Sequence, residues 1–165
     1  MKTDYTVLLG SNSYFHSTAK LYRNICFRPG ITLWMDENTF IGDSCVILVP
    51  ELIMHRGSQI CAGTILTGRE PVVLMENAVV AYGCILITTS DTPEGEFMND
   101  ASPEEKRKII RGPILLRENS FIGSKAVIMP NVTIGERSVV RAQSYISHNV
   151  PANMIAETNI METRR

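Results

Sequence analysis

Three histidines, four cysteines and a run of loop carboxylates are the residues of this chain best suited to chemistry. His16, His55 and His148 are far apart in sequence. Zinc-type sites need three or four ligands converging on one point, and no metal is expected from this set. Cys26, Cys45, Cys61 and Cys84 contain no Cys-x-x-Cys pair. They read as small buried hydrophobes in a reducing compartment. No P-loop or dinucleotide glycine pattern is present. The other candidates stand in one stretch, TTSDTPEGEFMNDASPEEKRKIIRG, from Thr88 to Gly112. Ser90 and Asp91 open it. A loop this long inside a compact domain is usually functional or disordered. A carboxylate with a pKa of about 4 is a weak base unless burial raises it, so Asp91 as a proton acceptor requires desolvation. His55, just after the apolar Met54, is the alternative base; its plainer role is a corner residue bonded to a carbonyl.

The elements that must position these groups are written in a short repeat. Leu116, Ile122, Ile128, Ile134, Val140 and Ile146 fall six residues apart. Two places before the last five stand Ser120, Ala126, Val132, Ser138 and Ser144. Six is neither the helical period near 3.6 nor simple strand alternation. A strand and a corner in every six residues, three to a coil, would place Leu116 beneath Ile134 and Ile122 beneath Val140. The stacked coils would pair as parallel strands around a column of aliphatic rungs. Glu37-Asn38-Thr39-Phe40-Ile41 recurs as Glu76-Asn77-Ala78-Val79-Val80 and Glu118-Asn119-Ser120-Phe121-Ile122. Each copy puts Asn at a corner, where left-handed backbone is tolerated. Ile41 and Ile47 are in phase; Leu48, Met54, Ile60 and Leu66 read as a run slipped by one. A turn-rich insertion follows at 67–71, and Leu74, Val80 and Leu86 resume.

Ile122-Gly123-Ser124-Lys125-Ala126-Val127 and Ile134-Gly135-Glu136-Arg137-Ser138-Val139 resemble the hexapeptide repeat of the hexapeptide-repeat acyltransferases, in their sugar O-/N-acetyltransferase branch. The resemblance covers roughly residues 33–156. It implies an all-β fold, a left-handed parallel β-helix of about five coils with one protruding loop and a short helix. It also implies a homotrimer with sites between subunits, and acyl transfer, chiefly of acetyl from acetyl-CoA to a hydroxyl or amine of a sugar or nucleotide sugar. Polysaccharide or nucleotide-sugar biosynthesis is the implied context. Thr88–Gly112 resembles the family's loop in place and length. The branch's histidine before that loop is absent: Ile87-Thr88-Thr89-Ser90-Asp91-Thr92-Pro93 carries Ser90 or Asp91 in its place. Four readings stay open: Asp91 as base, His55 as base, an amine acceptor that needs no protein base, or a non-catalytic scaffold. The stretch from Val139 to Pro151 resembles the family's terminal signature. Ser124 and Ala142 map onto its coil corners, and His148 stands where the family has a lysine. Lys125 or Arg141 is expected to supply charge to the coenzyme phosphates.

Three segments are expected: an irregular cap over 1–24, the repeats over 25–151 with the loop at 88–112, and a tail over 152–165. Ser102-Pro103-Glu104-Glu105 has the signature of a helix start and predicts a short helix from about 103 to 110. At 165 residues with 44% hydrophobic content, the chain is one domain by size. A net charge of -1 excludes a general nucleic-acid binder, which would carry a basic face. No signal-peptide core or membrane-length apolar run is seen, so a soluble cytoplasmic protein is expected.

Overall fold

The computed structural model describes residues 9–158 and the backbone of 160–163. The chain winds as a parallel β-solenoid with three flat faces. The first face stacks Tyr14–Phe15, Thr32–Met35, Glu51–Met54, Val72–Leu74, Ile114–Leu116 and Thr133–Ile134. The second stacks Lys20–Leu21, Phe40–Ile41, Gln59–Ile60, Val79–Val80, Phe121–Ile122, Val139–Val140 and Met154–Glu157. The third stacks Cys26–Phe27, Val46–Ile47, Ile65–Thr67, Ile85–Ile87, Val127–Ile128 and Tyr145–Ile146. Six coils are complete and a seventh begins, about seven turns in place of the five expected. Leu116 pairs in register with Ile134, and Ile122 with Val140, as the six-residue spacing requires.

The core is a column of rungs. Met35, Met54, Leu74, Leu116 and Ile134 stack behind the first face, all fully buried. The small positions two residues before the rungs are buried as well, including Thr39, Cys45, Ser58, Cys84, Ser120 and Ala126. They fill the narrow corners, where a larger side chain has no room.

Each corner has its own chemistry. Between the first and second faces the backbone turns through left-handed residues, Asn38, Asn77 and Asn119 at φ 57, 57 and 55°. These are the three asparagines of the sequence triplet. Between the second and third faces the same conformation is held by Ser44, Gly63, Gly83, Lys125 and Gln143. Their amides bond up the stack, as in Gln143 N to Ser124 O at 2.9 Å. The third corner carries Pro29, Pro50, Pro71, Pro113 and Pro130, so the ladder loses a donor where strands are not pairing.

The third corner is also where the spacing varies. Ile47 to Met54 takes seven residues and Leu66 to Leu74 takes eight, whereas Ile128 to Ile134 takes six. Extra length there breaks the phase in sequence without breaking the stack. It hid the outermost coils. Strands Tyr14–Phe15 and Lys20–Leu21 lie in the stretch read as an irregular cap, and they pair in parallel with the second coil. Met154–Glu157 lies in the stretch read as a tail, yet pairs with Val139–Val140 and buries Ala156. Ile160–Thr163 turns back antiparallel on it, where only a tail was expected; residues 164 and 165 lie outside the described residues. Leu48 is 38% exposed, and Ile47 takes the rung assigned to it.

The expected helix over 103–110 is one 3-10 turn, Glu104–Lys106. Ser102 Oγ donates to Asn99 Oδ1 at 3.2 Å and caps nothing. Arg107 is already extended, at φ -108° and ψ 144°, and Ile109–Arg111 is drawn into a strand against Thr89–Asp91.

Candidate active site

The long loop leaves the third corner between the fourth and fifth coils. Its two stems, Thr89–Asp91 and Ile109–Arg111, pair antiparallel, with Asp91 opposite Ile109. At its centre is Arg107, whose side chain is only 7% exposed. Its Nε and one terminal nitrogen each donate to Asp91 at 2.7 Å, and that terminal nitrogen also reaches Asp100 Oδ1 at 2.7 Å. Two charge-assisted bonds in a planar fork fix both partners in direction as well as distance. Lys106 to Glu96 at 3.3 Å and Arg111 to Glu104 at 2.5 Å add outer ties.

Gly68 seats the loop start. Its backbone lies at φ 125°, and a Cβ there would meet Thr88 Oγ1 and stand 2.6 Å from Thr89 N. Only glycine lets the third coil approach Thr88 and Thr89 this closely. The amides of Arg69 and Glu70 then donate to Thr89 Oγ1 and Thr88 Oγ1, at 3.0 and 3.1 Å.

Beneath the loop a cleft of about 300 Å³ runs along the third corner. Ser90, Asp91, Asp100, Arg107, Arg28 and Arg69 line it, with Leu48 among them. Ser90 Oγ donates to the Asp91 carbonyl at 3.1 Å. Hydrogen bonding from Arg107 holds the Asp91 carboxyl below the usual carboxylate range. That is the opposite of what a general base needs near neutrality. Asp91 is thus placed at the loop start, with each carboxylate oxygen accepting a hydrogen bond from Arg107. Asp100 is 81% exposed and keeps an oxygen free of the arginine contact.

His55 sits on a different edge, at the corner between the first and second faces. Its Nδ1 is 3.1 Å from Asp36 Oδ2, and the other Asp36 oxygen accepts from Trp34 Nε1 at 2.7 Å. A carboxylate only accepts, so Nδ1 carries a proton toward it, and in the neutral imidazole Nε2 is the nitrogen with the lone pair. Its partner is a carboxylate, not the carbonyl of the plainer expectation. Within one chain His55 is not brought to Ser90 and Asp91.

The residues expected to bind coenzyme A divide between corners. Ser124, Lys125, Arg141 and Ala142 share the corner between the second and third faces, in consecutive coils. Gly123 lies so near the next coil that a Cβ would stand 2.5 Å from Ala142 N. Arg141 Nε lies 3.3 Å from Glu157 Oε2. His148 stands apart, on the third corner of the sixth coil beside Ser147 Oγ at 3.1 Å. No group of three or more His, Cys, Asp or Glu side chains poised for a metal occurs among the described residues.

Asp100, Arg107, Arg28 and Arg69 were not singled out from sequence. Their signal is weak there, since Asp100 and Arg107 are two among many charged residues of the loop and Arg28 and Arg69 stand singly at separate corners; only the fold gathers them.

A three-faced parallel solenoid with six-residue rungs and one loop raised over a polar cleft defines a class of protein, and comparison with known proteins agrees. Residues 113–148 match the family described as bacterial transferase hexapeptide (six repeats). Over that segment the chain carries the hexapeptide repeat of this transferase family. It is similar to galactoside O-acetyltransferase of Escherichia coli, 46% identical over 85 residues, covering 52% of this chain and 39% of the relative. It is also similar to galactoside O-acetyltransferase of Lactococcus lactis, 22% identical over 118 residues, covering 70% and 57%. The chain thus spans about half the length of these curated relatives. Among solved structures it shares its fold with AntD, an N-acyltransferase from Bacillus cereus in complex with dTDP-4-amino-4,6-dideoxyglucose and coenzyme A. The TM-score is 0.76 at 21% identity, over 94% of this chain and 92% of that one. The AntD structures include variants at a serine and at an aspartate ten positions further on.

Proposed function

We propose that this protein transfers an acyl group, acetyl in the simplest case, from a coenzyme A thioester to the amine of a sugar-type acceptor. One observation carries the reading: Ser90 and Asp100, ten residues apart, both line the loop cleft of a fold that matches AntD. An amine acceptor suits this cleft. Asp100 accepts a hydrogen bond from the acceptor nitrogen and orients its lone pair, and Ser90 Oγ lines the same pocket. The nitrogen attacks the thioester carbonyl, a C–N bond forms and the C–S bond breaks. The proton shed by nitrogen leaves with the coenzyme as its thiol. The chief contribution is orientation of the two reactants, with backbone N–H groups facing the developing oxyanion. Asp91 then acts as a positioning residue through Arg107, not as the base.

The coenzyme arm lies along the small corner residues Ser124 and Ala142, near Lys125 and Arg141. The left hand of the solenoid, a homotrimer that joins this corner to a neighbour's loop, a cytoplasmic setting and a place in polysaccharide or nucleotide-sugar biosynthesis belong to the same reading. A scaffold has no use for a loop cleft built this way. Transfer to a hydroxyl is the second reading. It is favoured by the Asp36-oriented His55, whose Nε2 could reach a neighbouring subunit's loop, and by the galactoside O-acetyltransferase relatives.

Calorimetric titration with acetyl-CoA comes first, followed by thiol-release assays on matched amino and hydroxyl sugars. Saturable coenzyme binding, turnover on the amino sugar and loss of it in Asp100→Ala support the reading. No binding at millimolar acetyl-CoA would sink it. Turnover only on hydroxyl sugars, abolished in His55→Gln, would move it to the second reading. A monomeric mass in solution would remove the intersubunit site.

A further inference from the structure

Arg107 is matched by Asp91 and Asp100, but two further guanidiniums in the same cleft are not matched. Arg28 and Arg69 line it from the third corner, and neither guanidinium has an ion-pair or hydrogen-bond partner among the described residues. The cleft lining therefore holds three arginines against two aspartates. Its order along the solenoid is informative. Arg28 comes from the end of the first coil, Leu48 from the second, Arg69 from the third and Ser90 from the loop that ends the fourth. Stacked coils lie about 4.8 Å apart, so the arginine corners are about 10 Å apart, with Leu48 between them. Ser90 lies one further coil along, a step about the width of a sugar ring. The backbone of Arg69 is tied to the loop start through Thr89 Oγ1, so its side chain departs from a fixed point beside Ser90.

We infer that Arg28 and Arg69 form a diphosphate subsite, and that the acceptor is a nucleoside-diphosphate sugar rather than a free sugar. The inference rests on the acyl-transfer reading and deepens it. Guanidinium forks are the side chains best matched to phosphate oxygens, and a diphosphate neutralises the two unmatched charges. Bound there, it places the sugar it carries at Ser90 and Asp100. Coenzyme A also contains a diphosphate. Its expected contacts, Ser124, Lys125, Arg141 and Ala142, lie on the corner between the second and third faces, which assigns the cleft to the acceptor.

The test is calorimetric titration of the full chain with thymidine diphosphate, uridine diphosphate and coenzyme A. It uses the wild type, Arg28→Gln, Arg69→Gln and the two lysine variants. Both arginines are exposed corner residues, and the substitutions leave every rung intact. The expected result is nucleoside-diphosphate binding that weakens about tenfold or more in each glutamine variant and less in each lysine variant, with coenzyme A affinity unchanged. Three results would overturn the inference. Coenzyme A binds the wild type but the nucleoside diphosphates do not, which leaves acyl transfer standing. The glutamine variants lose coenzyme A affinity and keep the nucleotides. Or nucleotide affinity stays within twofold in both glutamine variants. Failure of the wild type to bind either class removes the acyl-transfer reading as well.

Discussion

Replacing Gly68 with alanine tests the seating of the loop without touching a reacting group. The new Cβ would stand 2.6 Å from Thr89 N, where ordinary contact begins near 3.4 Å. The loop start must therefore retreat by about 0.8 Å. Thr88 Oγ1 lies in the way too, and turning it aside breaks its bonds from Glu70 N at 3.1 Å and to Thr67 O at 3.3 Å. A φ of 125° adds strain for any residue with a Cβ. That strain is of order 1–3 kcal/mol, which for a chain of this size lowers Tm by roughly 2–12 °C. The functional effect is expected to be larger. A displacement near 1 Å in a positioned site costs about 100-fold in rate, so kcat/KM should fall by about two orders of magnitude. Gly63→Ala is the control. It also sits in the left-handed region, at φ 72°, but its nearest neighbour is Gly83 Cα at 3.9 Å, on a different corner from the cleft. It should lose about 1 kcal/mol of stability and no more activity than that implies. Calorimetry and steady-state kinetics on both variants decide the matter. If Gly68→Ala keeps kcat/KM within threefold of wild type, the loop start does not position the reaction and the cleft is not the active site.

Three further outcomes follow from the geometry. Asp91 is held below its ordinary carboxylate value of 3.8 by Arg107, so its contribution is complete above that value and is lost as pH falls through the lowered one. Amide exchange in Thr89–Asp91 and Ile109–Arg111 should accelerate in acid, with Asp91→Asn exchanging fast at all pH; equal protection in the two proteins at pH 7 refutes the lock. Ser120 Oγ is buried with no hydrogen-bond partner among the described residues, and Ala78 fills the equivalent place one coil earlier. Ser120→Ala should therefore raise stability by up to about 1 kcal/mol, or roughly 2–4 °C in Tm, and a comparable fall would show a bond there. Burial pushes the thiols of Cys45, Cys61 and Cys84 up, while Cys26 is exposed. A disulfide reagent should titrate Cys26 quickly and Cys45 and Cys84 only on unfolding; rapid reaction of all four in the native protein contradicts the packing.

The middle coils are legible in the amino-acid sequence alone. An aliphatic residue every six positions, with a small one two places earlier, is enough to specify three faces, parallel stacking and the register of Leu116 on Ile134. Asn38, Asn77 and Asn119 announced their corners because few residues other than glycine tolerate that backbone. This is local information, since every rung must satisfy the same packing in the same way. The outer coils were not legible, because the third corner changes length from coil to coil and the phase resets where it does. Tyr14–Phe15 and Met154–Glu157 join the solenoid through pairing partners about 16 to 20 residues away, which no six-residue window contains.

The site divides in the same way. Sequence alone located the loop, put Ser90 and Asp91 at its start and showed that no histidine stands there. The resemblance of its terminal repeats put Ser124 and Ala142 at coil corners and offered Lys125 or Arg141 as the nearby charge. Only the tertiary structure decided that Arg107 occupies the Asp91 carboxylate, that Asp36 orients His55 on a remote edge and that His148 stands away from the other expected coenzyme contacts. It also gathered Arg28, Arg69 and Asp100 around one cleft. Arg28 and Arg69 come from the first and third coils and Asp100 from the loop. Charges from separate coils meet only because the coils stack at a fixed distance, and a linear pattern of residues carries no record of that distance.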